Sequence, residues 1–183
     1  YFEKIGIEGS FYNIKIDGKK TEHVVDIKNH LEAVECLKQE LFDNNIISSL
    51  DELSGVGHRL VHGGDKFKDS VLITDEVIEC CEEFNDLAPL HNPAMIACVK
   101  AFKEAMPKTP MVAVFDTSFH QTMEEREFLY SVPYNWYKEF GIRKYGFHGT
   151  SHKYITKKMQ ELLGKDNINI INCHIGSGGS LCC

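Results

Sequence analysis

The sequence has no apolar run near the roughly 20 residues that a membrane-spanning helix requires. Nor does its opening Tyr1-Phe2-Glu3-Lys4 have the character of a signal or transit peptide. A cytoplasmic protein with no membrane partner is the expectation. Basic charge is also scarce: 20 Lys and Arg against 27 Asp and Glu leave a formal charge of -7, and the cations are scattered. A nucleic-acid footprint needs them clustered, so DNA and RNA are disfavoured as partners. The seven cysteines form an odd set without a CxxC pair. They are expected to be reduced and structural, and Cys182-Cys183 lacks the partner spacing of a metal site. No Gly-Lys-Ser/Thr is present either, which excludes a Walker loop. There is no initiator Met, and the last residues are read as a strand and a glycine-rich turn with nothing downstream to pair with. A piece cut at both ends is therefore expected.

What is present is a mixed α/β pattern. Residues 1–26 alternate, with the turn pair Asp17-Gly18 after Phe11–Ile16, which predicts a hairpin or meander. Asn29 caps a predicted helix whose stripe is Leu31, Val34, Leu37 and Leu41. A strand through Ser54–Val61 runs into Gly63-Gly64, and a helix follows Thr74. Asn92 at a cap and Pro93 at the first helical position open the next helix, with Met95, Ile96, Val99 and Phe102 on its buried face. Met111–Phe115 reads as a strand buried on both sides. Thr150 or Ser151 is the expected cap of a helix ending before Gly164, and Ile168–Cys173 the expected last strand. The sum is a mixed-sheet α/β domain over residues 1–120 and the start of a second over 121–183.

Polar and glycine residues concentrate at the ends of these strands, where open α/β sheets gather ligands. The segments are His58–Gly64, Pro89–Pro93, Phe115–His120, Gly146–His152 and the glycine-rich Cys173–Ser180. All the histidines except His23 and His30 fall inside them. A single histidine is more often a hydrogen-bonded structural group, but these have company. Arg59 offers a planar fork for a carboxylate or phosphate. Asp116 leaves a buried strand where it could reach magnesium or its water shell. The glycine turn lets backbone N–H groups approach a phosphate, though such turns are common.

Four of these runs are similar to signature blocks of the acetate kinase family in order and spacing. They are Gly57–Gly64 (GHRLVHGG), Ala88–Ala94 (APLHNPA), Val114–Met123 (VFDTSFHQTM) and Tyr145–His152 (YGFHGTSH), and the Cys173–Ser180 loop joins them. The resemblance implies the actin-like ATPase (ribonuclease H-like) fold of the sugar kinase, Hsp70 and actin superfamily. The first strand of that fold is missing here, and the second domain is truncated. It implies reversible phosphoryl transfer from ATP to acetate, giving acetyl phosphate and ADP, with Mg2+ required and a homodimer in the full-length protein. Arg59 matches the arginine that holds carboxylate or phosphoryl group, His148 the histidine on the transferring phosphoryl oxygens, and Asp116 the acidic residue tied, indirectly, to magnesium. Val61, Leu90 and Phe147 match the methyl pocket, with His91 beside it. His174, Gly176, Ser177 and Gly178 match the loop that meets the nucleotide phosphates.

The chain departs from the family pattern where family members commonly carry Asn and it has Ser177, which leaves the phosphoryl donor open. It also lacks the family's amino-terminal Asn-Ala-Gly-Ser-Ser-Ser turn, a second active-site arginine, a carboxy-terminal glutamate and the adenosine pocket, so it is expected to be inactive alone. A methyl-sized pocket selects weakly, at roughly 1 to 3 kcal/mol per methylene, so propionate and butyrate stay open as substrates. Two other classes compete. His148 and His152 have the i, i+4 spacing of a zinc hydrolase without its glutamate, and an actin-like or chaperone-like module would bind nucleotide without transferring it.

Overall fold

The computed structural model describes residues 1–183, which divide into two compact units: 1–56 with 94–111, and 57–93 with 112–183. In the first unit, strands β1 (Phe2–Glu3), β2 (Phe11–Ile16) and β3 (Lys19–Val24) form an antiparallel meander. Asp17 and Gly18 both take positive φ, 50° and 83°, which gives the two-residue turn whose twist suits a hairpin. Helix α1 (His30–Asp43) starts where the Asn29 side chain accepts the Glu32 N–H at 2.9 Å. Ala33 of α1 packs with Tyr12 and Ile27, and Phe2, Ile5 and Cys36 close around them. The buried Tyr12 hydroxyl donates to Glu40 at 2.6 Å; burial, then this carboxylate, pushes its pKa up to about 12.

A three-stranded sheet has the order β4 (Val56–Leu60), β6 (Met111–Phe115), β5 (Val71–Leu72). The Val56 N–H donates to Pro110 and the Asp116 N–H to Leu60, so β4 and β6 run the same way, whereas β5 is antiparallel to β6. The sheet is therefore mixed, as the sequence implied. Met111, Ala113 and Phe115 are buried and their alternates half-buried, which suits a central strand.

Helix α2 (Asp75–Glu82) is capped by Thr74 and α3 (Asn92–Ala105) opens with Asn92-Pro93. Two short helices follow, α4 (Glu125–Phe128) and α5 (Tyr134–Phe140), then the longer α6 (Gly149–Leu163) and a terminal hairpin of β7 (Asn172–Ile175) and β8 (Gly179–Cys182). No helix is long and apolar enough to cross a membrane.

Four local expectations are corrected. Asn92 spends its side chain elsewhere: its Oδ1 accepts the His62 N–H at 3.1 Å and its Nδ2 donates to the His62 carbonyl at 3.0 Å. Neither Thr150 nor Ser151 caps α6, which starts earlier, after His148 in the left-handed region (φ 55°). The strand expected over Ile168–Cys173 is instead β7 over Asn172–Ile175, paired with β8. The glycine turn does lead somewhere, since Gly179–Cys182 folds back on β7.

His62 sits in this second unit almost without solvent access, with Tyr145 and Phe147 edge-on to its ring and Phe84 stacked near it. Its Nδ1 accepts the Gly64 N–H at 3.0 Å, and burial pushes its pKa down to about 4. Between about pH 6.5 and 4 the unfolded chain binds a proton here that the fold rejects, so stability falls as pH drops through that window. Thermal midpoints measured from pH 7 to 4 should show a smaller acid loss for His62→Gln than for the wild type; equal losses would contradict this assignment.

Candidate active site

Asp116 is the first residue after β6, and its position is over-determined. Its N–H donates to Leu60, its carbonyl accepts the Gly149 N–H at 3.0 Å, and its carboxylate is 1% exposed. A charge removed from water this far needs a partner. Arg59 supplies one from the neighbouring strand, donating through Nε to Oδ1 at 3.1 Å and through Nη2 to Oδ2 at 2.6 Å. The Thr150 hydroxyl adds a longer contact to Oδ1, 3.3 Å. Hydrogen bonding to Asp116 raises the Arg59 pKa further, while half of the Arg59 side chain stays exposed. One end of the fork is thus locked and the cation still faces solvent.

The start of α6 is brought against Asp116 by a missing side chain. A Cβ on Gly149 would collide with the Asp116 carbonyl oxygen, so only glycine lets the helix approach this closely. His148, immediately before it, absorbs the turn in a left-handed conformation that non-glycine residues adopt infrequently. Such conformations cluster where a side chain must be aimed. Its ring stacks on His174 of β7 with centroids 4.1 Å apart. Desolvation and then the neighbouring His174 lower the His148 pKa, with Asp116 opposing, which favours the neutral imidazole.

Around these groups lies a cavity of about 830 Å³. Val61, Leu90 and Phe147 form its apolar wall with Ala88 and Pro89, and Arg59, His91, Asp116 and His148 supply its polar groups. Ser177 and Gly178 border it from the terminal hairpin. An adjoining cavity of about 250 Å³ shares Arg59, His148, Ser177 and Gly178 and adds His174 and Gly176. Each residue to which the resemblance assigns a site role therefore lines one of these two adjoining spaces, whereas His58, His62, His120 and His152 line neither. Leu90 is 87% exposed, so the apolar wall is open on that side.

The zinc arrangement is absent. His148 Nδ1 and His152 Nε2 both approach the Ser180 hydroxyl, at 2.9 and 2.8 Å, and no group of three His, Cys, Asp or Glu side chains is placed to hold a metal. All seven cysteines are free. Each Asp116 oxygen already accepts from Arg59, so if a magnesium ion were held here this carboxylate would be better suited to meeting it through a water than directly. Magnesium, which keeps much of its hydration, suits this arrangement when substrate phosphates supply the direct ligands.

Several supporting residues lie in the segments singled out from the sequence but were given no role there. Thr117 accepts the Gly63 N–H at 3.1 Å, His120 contacts the Phe147 carbonyl at 3.1 Å, and Ser151 lies 3.0 Å from His174 Nδ1. Ser180 is paired directly opposite His174 in the hairpin. The one signal that could have found it is the two-residue alternation about Gly176–Gly178, once a turn is assumed there.

The acetokinase family profile matches residues 1–183. The chain is 56% identical to acetate kinases of Bacillus anthracis and Halalkalibacterium halodurans over 98% of its own length and 46% of theirs. It superposes on the crystal structure of the Porphyromonas gingivalis acetate kinase with a TM-score of 0.92 at 45% identity, covering 98% of this chain and 46% of that one. A propionate kinase from Francisella tularensis subsp. tularensis gives a TM-score of 0.92 at 37% identity, with the same coverage of both chains. The chain spans about half the length of the curated relatives it matches. The α/β fold expected from the sequence is the actin-like ATPase fold of these kinases. By its full-length match, the chain belongs to the acetokinase family.

Proposed function

We propose that the protein to which this chain belongs transfers a phosphoryl group reversibly between ATP and acetate, giving ADP and acetyl phosphate. The observation that carries the reading is the convergence of Arg59, Asp116 and His148 on one cavity, between an apolar wall and a glycine turn. Phosphoryl transfer asks a protein mainly for positioning and charge stabilisation, and these are suitable parts. The carboxylate oxygen attacks the γ-phosphorus in line as the bond to the β-phosphate oxygen breaks. Arg59, held by Asp116, presents its exposed edge to the acceptor carboxylate or the moving phosphoryl group. His148 donates a hydrogen bond to a phosphoryl oxygen, and Val61, Leu90 and Phe147 enclose the methyl group with His91 beside them.

On this reading His174, Gly176, Ser177 and Gly178 meet the nucleotide phosphates, with Ser177 reaching less far than an asparagine would. Asp116 would hold a magnesium ion indirectly, and such an ion would supply charge neutralisation to the phosphates. We assign the protein to the cytoplasm and expect a homodimer when full length. The chain alone lacks the remaining family motifs and is proposed to be inactive. Propionate is the second reading, favoured by the open wall at Leu90 and by the likeness to a propionate kinase.

Trapping the acyl phosphate as a hydroxamate with the full-length protein tests the activity directly. ATP- and acetate-dependent product is expected; nucleotide binding without product would leave only a binding module. In the same assay Arg59→Ala or His148→Ala should lower turnover by about 10² to 10³, and near-normal turnover would remove them from the site. Val61→Ala should narrow the gap between acetate and propionate, whereas an unchanged preference would put the methyl group elsewhere.

A further inference from the structure

The Ser180 hydroxyl stands at the junction of three groups: His148 Nδ1 at 2.9 Å, His152 Nε2 at 2.8 Å, and more distantly the Phe147 carbonyl at 3.5 Å. A serine hydroxyl has one proton to give and two lone pairs to receive with. Both rings can donate to the oxygen only if the hydroxyl gives its own proton to the Phe147 carbonyl, which is 3.5 Å away and already meets His120 at 3.1 Å; a ring nitrogen is the nearer acceptor, so one ring donates to the oxygen and the other accepts from it. The direction is set by His152. That ring is fully buried, and although Asn172 lies beside it, the Asn172 amide N–H donates to the His152 carbonyl and no hydrogen bond of acceptable geometry reaches the ring Nδ1. A proton there would be an orphaned buried donor, whereas a bare lone pair is the lesser loss. The His152 proton therefore belongs on Nε2, pointing at Ser180. Ser180 must then pass its own proton to His148 Nδ1, which leaves the His148 proton on Nε2. That edge of His148 faces the glycine turn: a Cβ built on Gly178 would lie 3.7 Å from Nε2 and 3.6 Å from Cε1.

We infer that Ser180 is a positioning residue, which through the relay from His152 to Ser180 to His148 fixes His148 as a neutral Nε2–H donor aimed at the phosphate-binding turn. The inference rests on the proposed role of His148 but concerns a proton that is observable without turnover. It explains why a histidine with no carboxylate on its Nδ1 can hold one tautomer and one ring orientation. A neutral donor also keeps its hydrogen bond over a pH range in which an imidazolium would be lost.

The test is nitrogen-15 NMR of histidine-labelled full-length protein at neutral pH, with His148 assigned by its disappearance in His148→Gln. The result expected is a protonated Nε2 and a bare, hydrogen-bonded Nδ1 at His148. A protonated Nδ1 there would overturn the proposal; it would mean either that His152 turns its Nδ1–H to the neighbouring Asn172 and the relay runs backwards, or that both rings donate to Ser180 and its hydroxyl donates to the Phe147 carbonyl. In Ser180→Ala the tautomer should become mixed and kcat should fall about 10- to 100-fold with KM for acetate and nucleotide changed less than about threefold. Ser180→Thr, which keeps the hydroxyl, should restore both. A purely structural hydroxyl would instead lower the thermal midpoint of Ser180→Ala while leaving kcat within about twofold, and that outcome also overturns the proposal. Should Ser180→Ala fail to fold, the wild-type spectrum alone decides. If the wild type makes no acyl phosphate yet shows the Nε2–H form, the relay stands and the assigned reaction falls.

Discussion

The guanidinium of Arg59 and the carboxylate of Asp116 meet where β4 and β6, running side by side, reach their carboxyl ends. Asp116 is buried and Arg59 half-exposed, so the pair is asymmetric: the anion is a fixed anchor and the cation a presented tool. Removing the partner of a buried charge typically costs about 3 to 5 kcal/mol, more than any surface ion pair returns. The remainder of the site is arranged around that anchor. The Asp116 backbone is bonded on one side to Leu60 and on the other to Gly149, so strand, anchor and helix start move as one piece. A guanidinium held at two points by such a group has lost most of its rotamer freedom before a substrate arrives, which is the condition for electrostatic preorganisation.

A second constraint, steric where the first is electrostatic, places the imidazoles. Because Gly149 has no Cβ, α6 starts against the Asp116 carbonyl, and His148 takes the left-handed turn that results. The terminal hairpin then closes over that ring, stacking His174 on it and bringing up the Ser180 hydroxyl. His62 does comparable work for the apolar wall. Pinned by Asn92 on its backbone and by Gly64 on its ring, it backs Tyr145 and Phe147 from inside the unit. The histidines thus divide into buried scaffolding such as His62 and rings that line the cavities, His91, His148 and His174, although in composition they are indistinguishable.

Much of this was legible from residue order. The Asp17-Gly18 turn, the cap at Asn29, the helix start after Thr74 and the buried strand Met111–Phe115 follow from local chemistry and appear as expected. The cavity-lining residues were also legible, because motif blocks at strand ends mark a site even when their spatial arrangement is unknown. What was not legible depended on contacts distant in sequence. Asn92 looks like a cap until His62 claims its amide, and the start of α6 is set by a carbonyl far back in the chain, at Asp116, rather than by Thr150 or Ser151. The pairing of β7 with β8, from Asn172 opposite Cys182 to Ile175 opposite Gly179, is likewise not revealed by any periodicity within 168–173. Ser180, a small residue beyond a glycine turn, carries no signal of its own.

The claim on which the account depends is that Arg59 acts as a group held by Asp116 and not as an independent cation. A double-mutant cycle on kcat/KM of the full-length protein, with Arg59→Gln, Asp116→Asn and the pair together, measures that dependence. The account predicts strong coupling, with the double variant losing no more than about tenfold beyond the worse single one. Losses that multiply, as for two residues acting separately, would contradict it.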